Sequence, residues 1–243
     1  MIKIFSFAGS CAGAGSKTKR MSDVLADAFR KKAEANGDEV SYECMTGADL
    51  RVDYCRSCLN CFINGSCPLD QGDDMPVLRQ KILDCDILFF GSPVYLWSMS
   101  GIAKSVLDRL GYWTHSYELF GKPCVVFSTT DNSYGTKVAD DLETILGFTG
   151  AVIVNAGYAI KGVIRTDPNE TALRLMDVYR SPASGITEFQ QSSFFTRVIM
   201  ARKAIKETGD KPLPHEVRVL AERGITKYVV MSEAVEALCP GKK

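Results

Sequence analysis

Ile2-Lys3-Ile4-Phe5-Ser6-Phe7-Ala8-Gly9-Ser10-Cys11-Ala12-Gly13-Ala14-Gly15-Ser16-Lys17-Thr18 opens the chain, and Met21, Val24, Leu25, Ala28 and Phe29 follow on one helical face. An apolar strand, a turn rich in glycine and hydroxyls, and an amphipathic helix succeed one another without a gap. In such a turn glycines let backbone N–H groups approach an anion. Ser10, Ser16 and Thr18 can donate hydroxyl hydrogen bonds, and the helix N-terminus adds partial positive charge. The segment reads as a phosphate cradle. An ordinary glycine-rich connection with Ser16 capping the helix is the plainer alternative.

Outward from this unit, short apolar runs alternate with stretches of helical period. Further strands are predicted over Glu39–Cys44, Ile87–Phe90, Cys124–Phe127 and Ala151–Val154. Ile102, Val106 and Leu110 share one helix face, and another helix runs from about Val138 to Leu146, ended by Gly147 as a left-handed cap. Strands separated by helices imply an α/β protein with a doubly wound, five-stranded parallel sheet, most simply in the flavodoxin-like order 2-1-3-4-5. After about Ile160 the alternation stops. Helices are expected near Thr171–Tyr179, Ser193–Lys206 and His215–Leu238, so residues 161–243 read as a helical appendage to a domain of residues 1–160. Asp167-Pro168, Ser181-Pro182 and Pro212-Leu213-Pro214 punctuate it as loops and a docking arm.

Lys plus Arg equals Asp plus Glu at 29 each among 243 residues, so no global field draws the chain to nucleic acid or a membrane surface. No apolar run approaches membrane-spanning length, and Met1-Ile2-Lys3-Ile4 enters a strand without a secretion signal. A soluble, cytoplasmic protein is expected. Its two histidines, His115 and His215, form no ligand motif.

The phosphate loop is neither of two common types. A Walker A loop needs Gly-Lys-Ser/Thr, whereas Ser16 separates Gly15 from Lys17. The dinucleotide fingerprint beginning at Gly13 would need Gly or Ala where Thr18 stands. A hydroxyl-rich loop suits the terminal phosphate of a mononucleotide such as FMN.

Two more segments end at the same sheet edge. Gly91-Ser92-Pro93-Val94-Tyr95-Leu96-Trp97-Ser98-Met99-Ser100-Gly101 leads into a helix with Lys104, Asp108 and Arg109, and Ser128-Thr129-Thr130-Asp131-Asn132-Ser133-Tyr134-Gly135 follows the fourth strand. The first of these resembles the Ser/Thr-Pro-Val-Tyr, Ser-Gly, Lys and Asp-Arg signature of the NAD(P)H-dependent FMN reductase group of flavodoxin-like proteins, and the likeness covers about residues 1–160. The resemblance implies that Pro93, Val94, Tyr95, Leu96 and Trp97 lie along the flavin ring, and that Ser128, Thr129, Thr130 and Gly135 belong to a third flavin loop. Tyr95 or Trp97 alone could equally be buried at a loop edge. The Ser-Pro-Arg start common in the family is replaced here by Ser10-Cys11-Ala12, which leaves charge neutralisation of the phosphate to Lys17 or to backbone donors.

The chain has nine cysteines, of which Cys55, Cys58, Cys61 and Cys67 are clustered. Cys85 and Cys124 stand in apolar runs and read as small buried hydrophobes. The spacing of the four resembles bacterial ferredoxins in its two short intervals and its final Cys67-Pro68, but departs in the last interval. With the flavodoxin-like core, the run resembles the iron-sulfur flavoprotein family. That likeness implies a four-iron four-sulfur cluster on these four cysteines, and oligomers that bring a cluster close to a flavin. Structural zinc, reversible thiol-disulfide chemistry and inert cysteines are the competing readings, although zinc ribbons usually separate their knuckles more widely.

The leading expectation is an electron-transfer flavoprotein coupling FMN to the cluster, with NAD(P)H as a possible donor and a redox protein or small molecule as acceptor. A flavin, quinone or azo reductase with a structural cysteine loop is the second. A non-catalytic, flavin-binding redox sensor is the third.

Overall fold

The computed structural model describes residues 1–209 and 211–241. Five parallel strands form its centre: β1 (Ile2–Ala8), β2 (Val40–Thr46), β3 (Ile87–Tyr95), β5 (Pro123–Thr130) and β6 (Val152–Ile160). Two short antiparallel strands, β4 (Ser98–Met99) on β3 and β7 (Val163–Ile164) on β6, make the sheet seven-stranded rather than the expected five. Both are hairpin returns of two residues each, too short to show a period in sequence. The path β2-β1-β3-β5-β6-β7 preserves the doubly wound order among the parallel strands. Its direction reverses between β1 and β3, the usual place for a ligand crevice.

Strand alternation divides the core into two faces. Phe5, Phe7, Leu88, Phe90 and Val126 face α3 (Met75–Asp84), α4 (Gly101–Arg109) and α6 (Gly135–Gly147). Ile4, Ile87, Phe89, Val125 and Phe127 face α1 (Lys17–Glu34) and α7 (Pro168–Arg180). Covered on both faces, β3 reads as a continuous apolar run. Phe90 is fully buried, and its truncation to alanine would cost about 3–5 kcal/mol. Cys85 and Cys124 are buried as expected, and burial raises both thiols above their ordinary value.

Ala172, Leu175, Met176 and Tyr179 of α7 share the sheet's second core cluster. The helices beyond it, α8 (Glu188–Thr208), α9 (His215–Glu222) and α10 (Met231–Leu238), make their own cluster and dock through Phe194 on Tyr117 and Phe120, whose rings lie 6.0 and 5.9 Å away. The single helix expected over His215–Leu238 is two. Gly224, at φ +73°, turns left-handed after α9, and residues 225–227 form a 3₁₀ turn before α10. Likewise α6 stops at Gly147, but the left-handed turn is at Gly150, φ +88°. No described helix is long and apolar enough to cross a membrane.

Candidate functional site

The carboxyl ends of β1, β3 and β5 enclose a crevice of about 230 Å³. Ser10, Lys17 and Thr18 line it from the first loop, Pro93, Val94 and Tyr95 from β3, and Thr129, Thr130 and Asp131 from β5. Hollows of about 300 Å³ beside Lys3 and Lys81, and about 350 Å³ between α6 and α8, are larger. Neither gathers loops from several parallel strands.

The first loop is held from three sides. Gly9 N–H donates to the Gly91 carbonyl at 2.7 Å, and a Cβ on Gly9 would stand 2.8 Å from that of Ala103, so only glycine allows this approach. Ser100 caps α4, accepting from Ala103 N–H at 3.2 Å, and donates to the Gly9 carbonyl at 2.5 Å. Ser92 accepts from Ser100 N–H at 2.9 Å. These two serines tie the phosphate loop to β3 and α4. Their scaffolding part was not read from sequence, although Ser100-Gly101 before a helix is an N-cap signal.

A 3₁₀ turn at Gly13–Gly15 delivers the chain to α1, where Ser16 is the N-cap and accepts from Lys19 N–H at 3.0 Å. Its hydroxyl proton and the first-turn N–H groups of Lys17 and Thr18 have no helical acceptor. Thr18 Oγ1 lies 2.7 Å from Thr129 Oγ1, joining the first and third loops below the crevice. Lys17 pairs with Asp131 across the opening, and both side chains are substantially exposed. Asp131 was missed in the sequence, where an acid beside a phosphate site has no motif to mark it.

The other expected residues divide between the crevice lining, its support and its surface. Pro93 pairs with Thr129 in the parallel ladder, so Pro93–Tyr95 and Ser128–Thr130 are strand ends rather than loops. Ser128 is buried and donates to the Gly135 carbonyl at 2.6 Å, and a Cβ on Gly135 would press within 2.5 Å of the Tyr158 ring. This pair braces the third loop from beneath. Leu96 and Trp97 form the tip of the β3–β4 hairpin, both left-handed at φ +47° and +63°, a conformation costly for side chains of this size. The tip holds Leu96 at 87% and Trp97 at 64% exposure, with the Tyr134 ring 6.2 Å from Trp97. An aromatic rim thus borders the crevice.

The cysteine segment follows β2. Cys55 and Cys58 are exposed on coil, while Cys61 and Cys67 are partly buried. The chain turns left-handed at Ser57, Leu59 and Gly65, and α2 (Asn60–Asn64) packs Cys61 and Phe62 against the sheet's core. Burial raises the Cys61 thiol, and nearby Cys67 and Cys55 add to the rise. Four thiols within one short coil suit a thiolate-held cluster in donor chemistry. They are not closed on one point: among the described residues no three or more His, Cys, Asp or Glu side chains are arranged to hold a metal ion.

The two histidines meet this segment. His215, the first residue of α9, sits so close over Gly65 that a Cβ there would lie 2.5 Å from its Nδ1. His115 packs edge-on against Phe62 at 4.9 Å and bonds Glu216 at 2.6 Å. Far apart in sequence, they had no visible relation before the fold joined them.

Residues 2–163 match the NADPH-dependent FMN reductase family. An iron-sulfur flavoprotein of Archaeoglobus fulgidus is 30% identical over 154 residues, 62% of this chain and 66% of that protein. One of Clostridioides difficile (strain 630) is 29% identical over 106 residues, 44% and 46% of the two chains. The matches therefore span less than two thirds of these relatives. Among solved structures, RosB with a bound formylriboflavin-phosphate intermediate aligns over 86% of this chain and 89% of its own, at TM-score 0.55 and 17% identity. The apo NADH:FMN oxidoreductase EmoB aligns over 72% and 88%, at TM-score 0.52 and 16% identity. Such distant likeness speaks for the fold alone. With its match across two thirds of the sequence and its crevice at the switch point of the sheet, the chain belongs to the NADPH-dependent FMN reductase family.

Proposed function

We propose that the crevice holds one FMN per chain and that Cys55, Cys58, Cys61 and Cys67 hold a single four-iron four-sulfur cluster, making the protein an electron-transfer flavoprotein. The observation that carries this reading is one chain with both a phosphate-suited crevice at three strand ends and a compact four-thiol coil. Bound FMN supplies hydride acceptance and single-electron release, and the cluster carries one electron at a time.

The residues divide the remaining work. Ser10, Ser16 and Thr18 donate to the phosphate, helped by the α1 N-terminus. Lys17 exchanges Asp131 for the phosphate, and the adjacent carboxylate weakens binding unless the ammonium stays between them. Pro93–Tyr95, Thr129 and Thr130 border the ring, and Trp97 with Tyr134 excludes water from its open side. Leu96 and Trp97, exposed at the tip, suit burial by a second copy in a homo-oligomer. The donor is NAD(P)H, and the acceptor a redox protein or small molecule.

Anaerobically purified protein is analysed for flavin, iron, acid-labile sulfide and zinc, with its absorption spectrum. One FMN with iron and sulfide in equal amounts is expected. FAD, or no flavin, rejects the crevice assignment. The open arrangement of the thiols favours a second reading, an NAD(P)H-dependent flavin, quinone or azo reductase with a structural cysteine loop. Stoichiometric zinc without sulfide selects it.

A further inference from the structure

Arg109 lies at the end of α4, far from the crevice lining, and its side chain is 1% exposed. Its Nη1 donates to the Asp53 carbonyl at 3.1 Å and to Asp73, and its Nη2 donates to Asp70 at 2.7 Å. Asp53 precedes Cys55, and Asp70 and Asp73 follow Cys67, so one guanidinium grips both ends of the cysteine segment. The ends are also bonded to each other. Asp53 N–H donates to Asp73 at 3.0 Å, Arg51 N–H to Asp74 at 2.7 Å, and Asp74 N–H to the Arg51 carbonyl at 2.9 Å. Arg79 pairs with Asp70 from α3 and donates to the Tyr112 hydroxyl at 3.4 Å, which closes the network underneath.

Two observations set Arg109 apart from a packing residue. Its Nε–H is buried without an acceptor among the described residues. The fork therefore spends its outer donors on the loop ends and keeps one donor uncommitted, an arrangement that costs free energy unless something else takes it up. Cys67 also lies within reach of its charge. Burial would raise the Asp73 carboxyl, but the hydrogen bond from Arg109, the N–H groups of Asp53 and Met75 and the Arg109 charge outweigh burial and hold it below its ordinary value. The clamp is thus ionised on both sides. Between its jaws Cys55, Cys58, Leu59 and Ile63 are exposed, while Cys61 and Phe62 rest against the core.

We propose that Arg109 is the positioning residue of the cysteine loop, fixing its two ends as a clamp through Asp70 and Asp73 and offering the four thiolates what those carboxylates leave of its positive charge, its uncommitted Nε–H included. The second half of this proposal rests on the cluster reading above. The first half does not. A clamp lowers the entropy of closing the loop before any ligand arrives. A fixed cation beside a thiolate-rich centre favours its reduced, more negative state.

Arg109→Lys keeps the charge but cannot reach Asp53, Asp70 and Asp73 together, and Arg109→Gln loses both fork and charge. Flavin content and circular dichroism control for folding. The clamp is read on protein stripped of metal, by tryptic cleavage at the exposed Arg56. Both variants are expected to be cut at least fivefold faster than the parent, and Arg109→Lys alone decides if Arg109→Gln does not fold. Parental cleavage rates in a folded variant overturn the clamp. The charge is read on anaerobic, cluster-loaded protein as the midpoint potential. Arg109→Lys should stay near the parent, and Arg109→Gln should lower the reduction equilibrium about tenfold, ~59 mV for one electron. Equal potentials in parent and Arg109→Gln overturn the charge role. Parent protein that contains FMN but neither iron nor sulfide rejects the cluster reading and with it the charge role, while the cleavage result still stands or falls for the clamp.

Discussion

The crevice and the cysteine segment are built on opposite plans. In the crevice the hydroxyls and glycines are committed before any ligand arrives: Thr18 to Thr129, Ser100 to Gly9, Ser128 to Gly135. In the cysteine segment the ion pairs gather at the two ends, and the middle is held by a single turn of helix with Cys61 and Phe62 against the core and by Asn60 donating to the Ser66 carbonyl, while Cys55 and Cys58 stay exposed. On the function proposed above, the contrast follows from what each must receive. A phosphate ester arrives whole, so a rigid site meets it with its ordering cost already met by folding. A cluster is put together from iron and sulfide, and its site must admit the parts and then close.

The strongest test of this division removes one thiol. Cys58→Ala should abolish bound iron and sulfide while FMN content and circular dichroism stay at parental values, because Cys58 is exposed and touches no core cluster. One-electron acceptors should suffer more than any direct hydride reaction of the flavin. Loss of FMN in that variant would erase the distinction between the two regions.

Ser16→Glu is the counterpart in the crevice. It places a carboxylate where the phosphate dianion is to sit and alters the α1 cap, so the FMN dissociation constant should rise at least hundredfold, about 2.7 kcal/mol. Iron per chain should not change. Unaltered flavin affinity would mean that the phosphate is bound elsewhere.

Gly65→Ala sharpens the comparison by tightening the loose region. The position has φ +76°, and the new methyl would meet His215 at 2.5 Å, so a loss of about 1–3 kcal/mol is expected. Chelators should strip iron several-fold faster, with FMN retained. A parental stripping rate would show that the seat of α9 on the loop is incidental.

The smallest effect is a pH dependence. The hydrogen bond from His115 holds the Glu216 carboxyl below its ordinary 4.5, against the opposing effect of burial. A depressed carboxylate contributes stability in full above its unfolded value and loses it as pH falls through the folded one. Proteolysis of the α8–α10 segment should therefore accelerate only below about pH 4.5, and Glu216→Gln should flatten that dependence. Identical acid profiles would remove the His115–Glu216 hydrogen bond from the account.

What could be read in advance divides along the same line. Apolar runs such as Ile87–Phe90 are visible because a strand covered on both faces has no polar positions, and the phosphate loop because glycine and hydroxyl residues have few other reasons to gather between strand and helix. The strand ends at Pro93 and Thr130 were taken for loops, since polar residues and proline obscure a ladder that continues only because its neighbour does. Arg109 was quoted in a motif without a part to play. Its partners at Asp53, Asp70 and Asp73 lie tens of residues away, and no local period encodes an ion pair between a helix end and a loop. The break at Gly224 was hidden by apolar residues on both sides that fit one helix or two equally well.

The seat of His215 over Gly65 also has a meaning in time. Gly65 is synthesised some 150 residues before His215, and at roughly 5–20 residues per second that interval lasts on the order of 10–30 s. By then every strand of the crevice has been made, since β6 ends at Ile160. On a nascent chain, therefore, the flavin end of the molecule can be complete while the thiols still lack their last contact. If the thiols hold the proposed cluster, delivery of iron and sulfide has a natural interval, after the core has formed and before α9 settles on the loop.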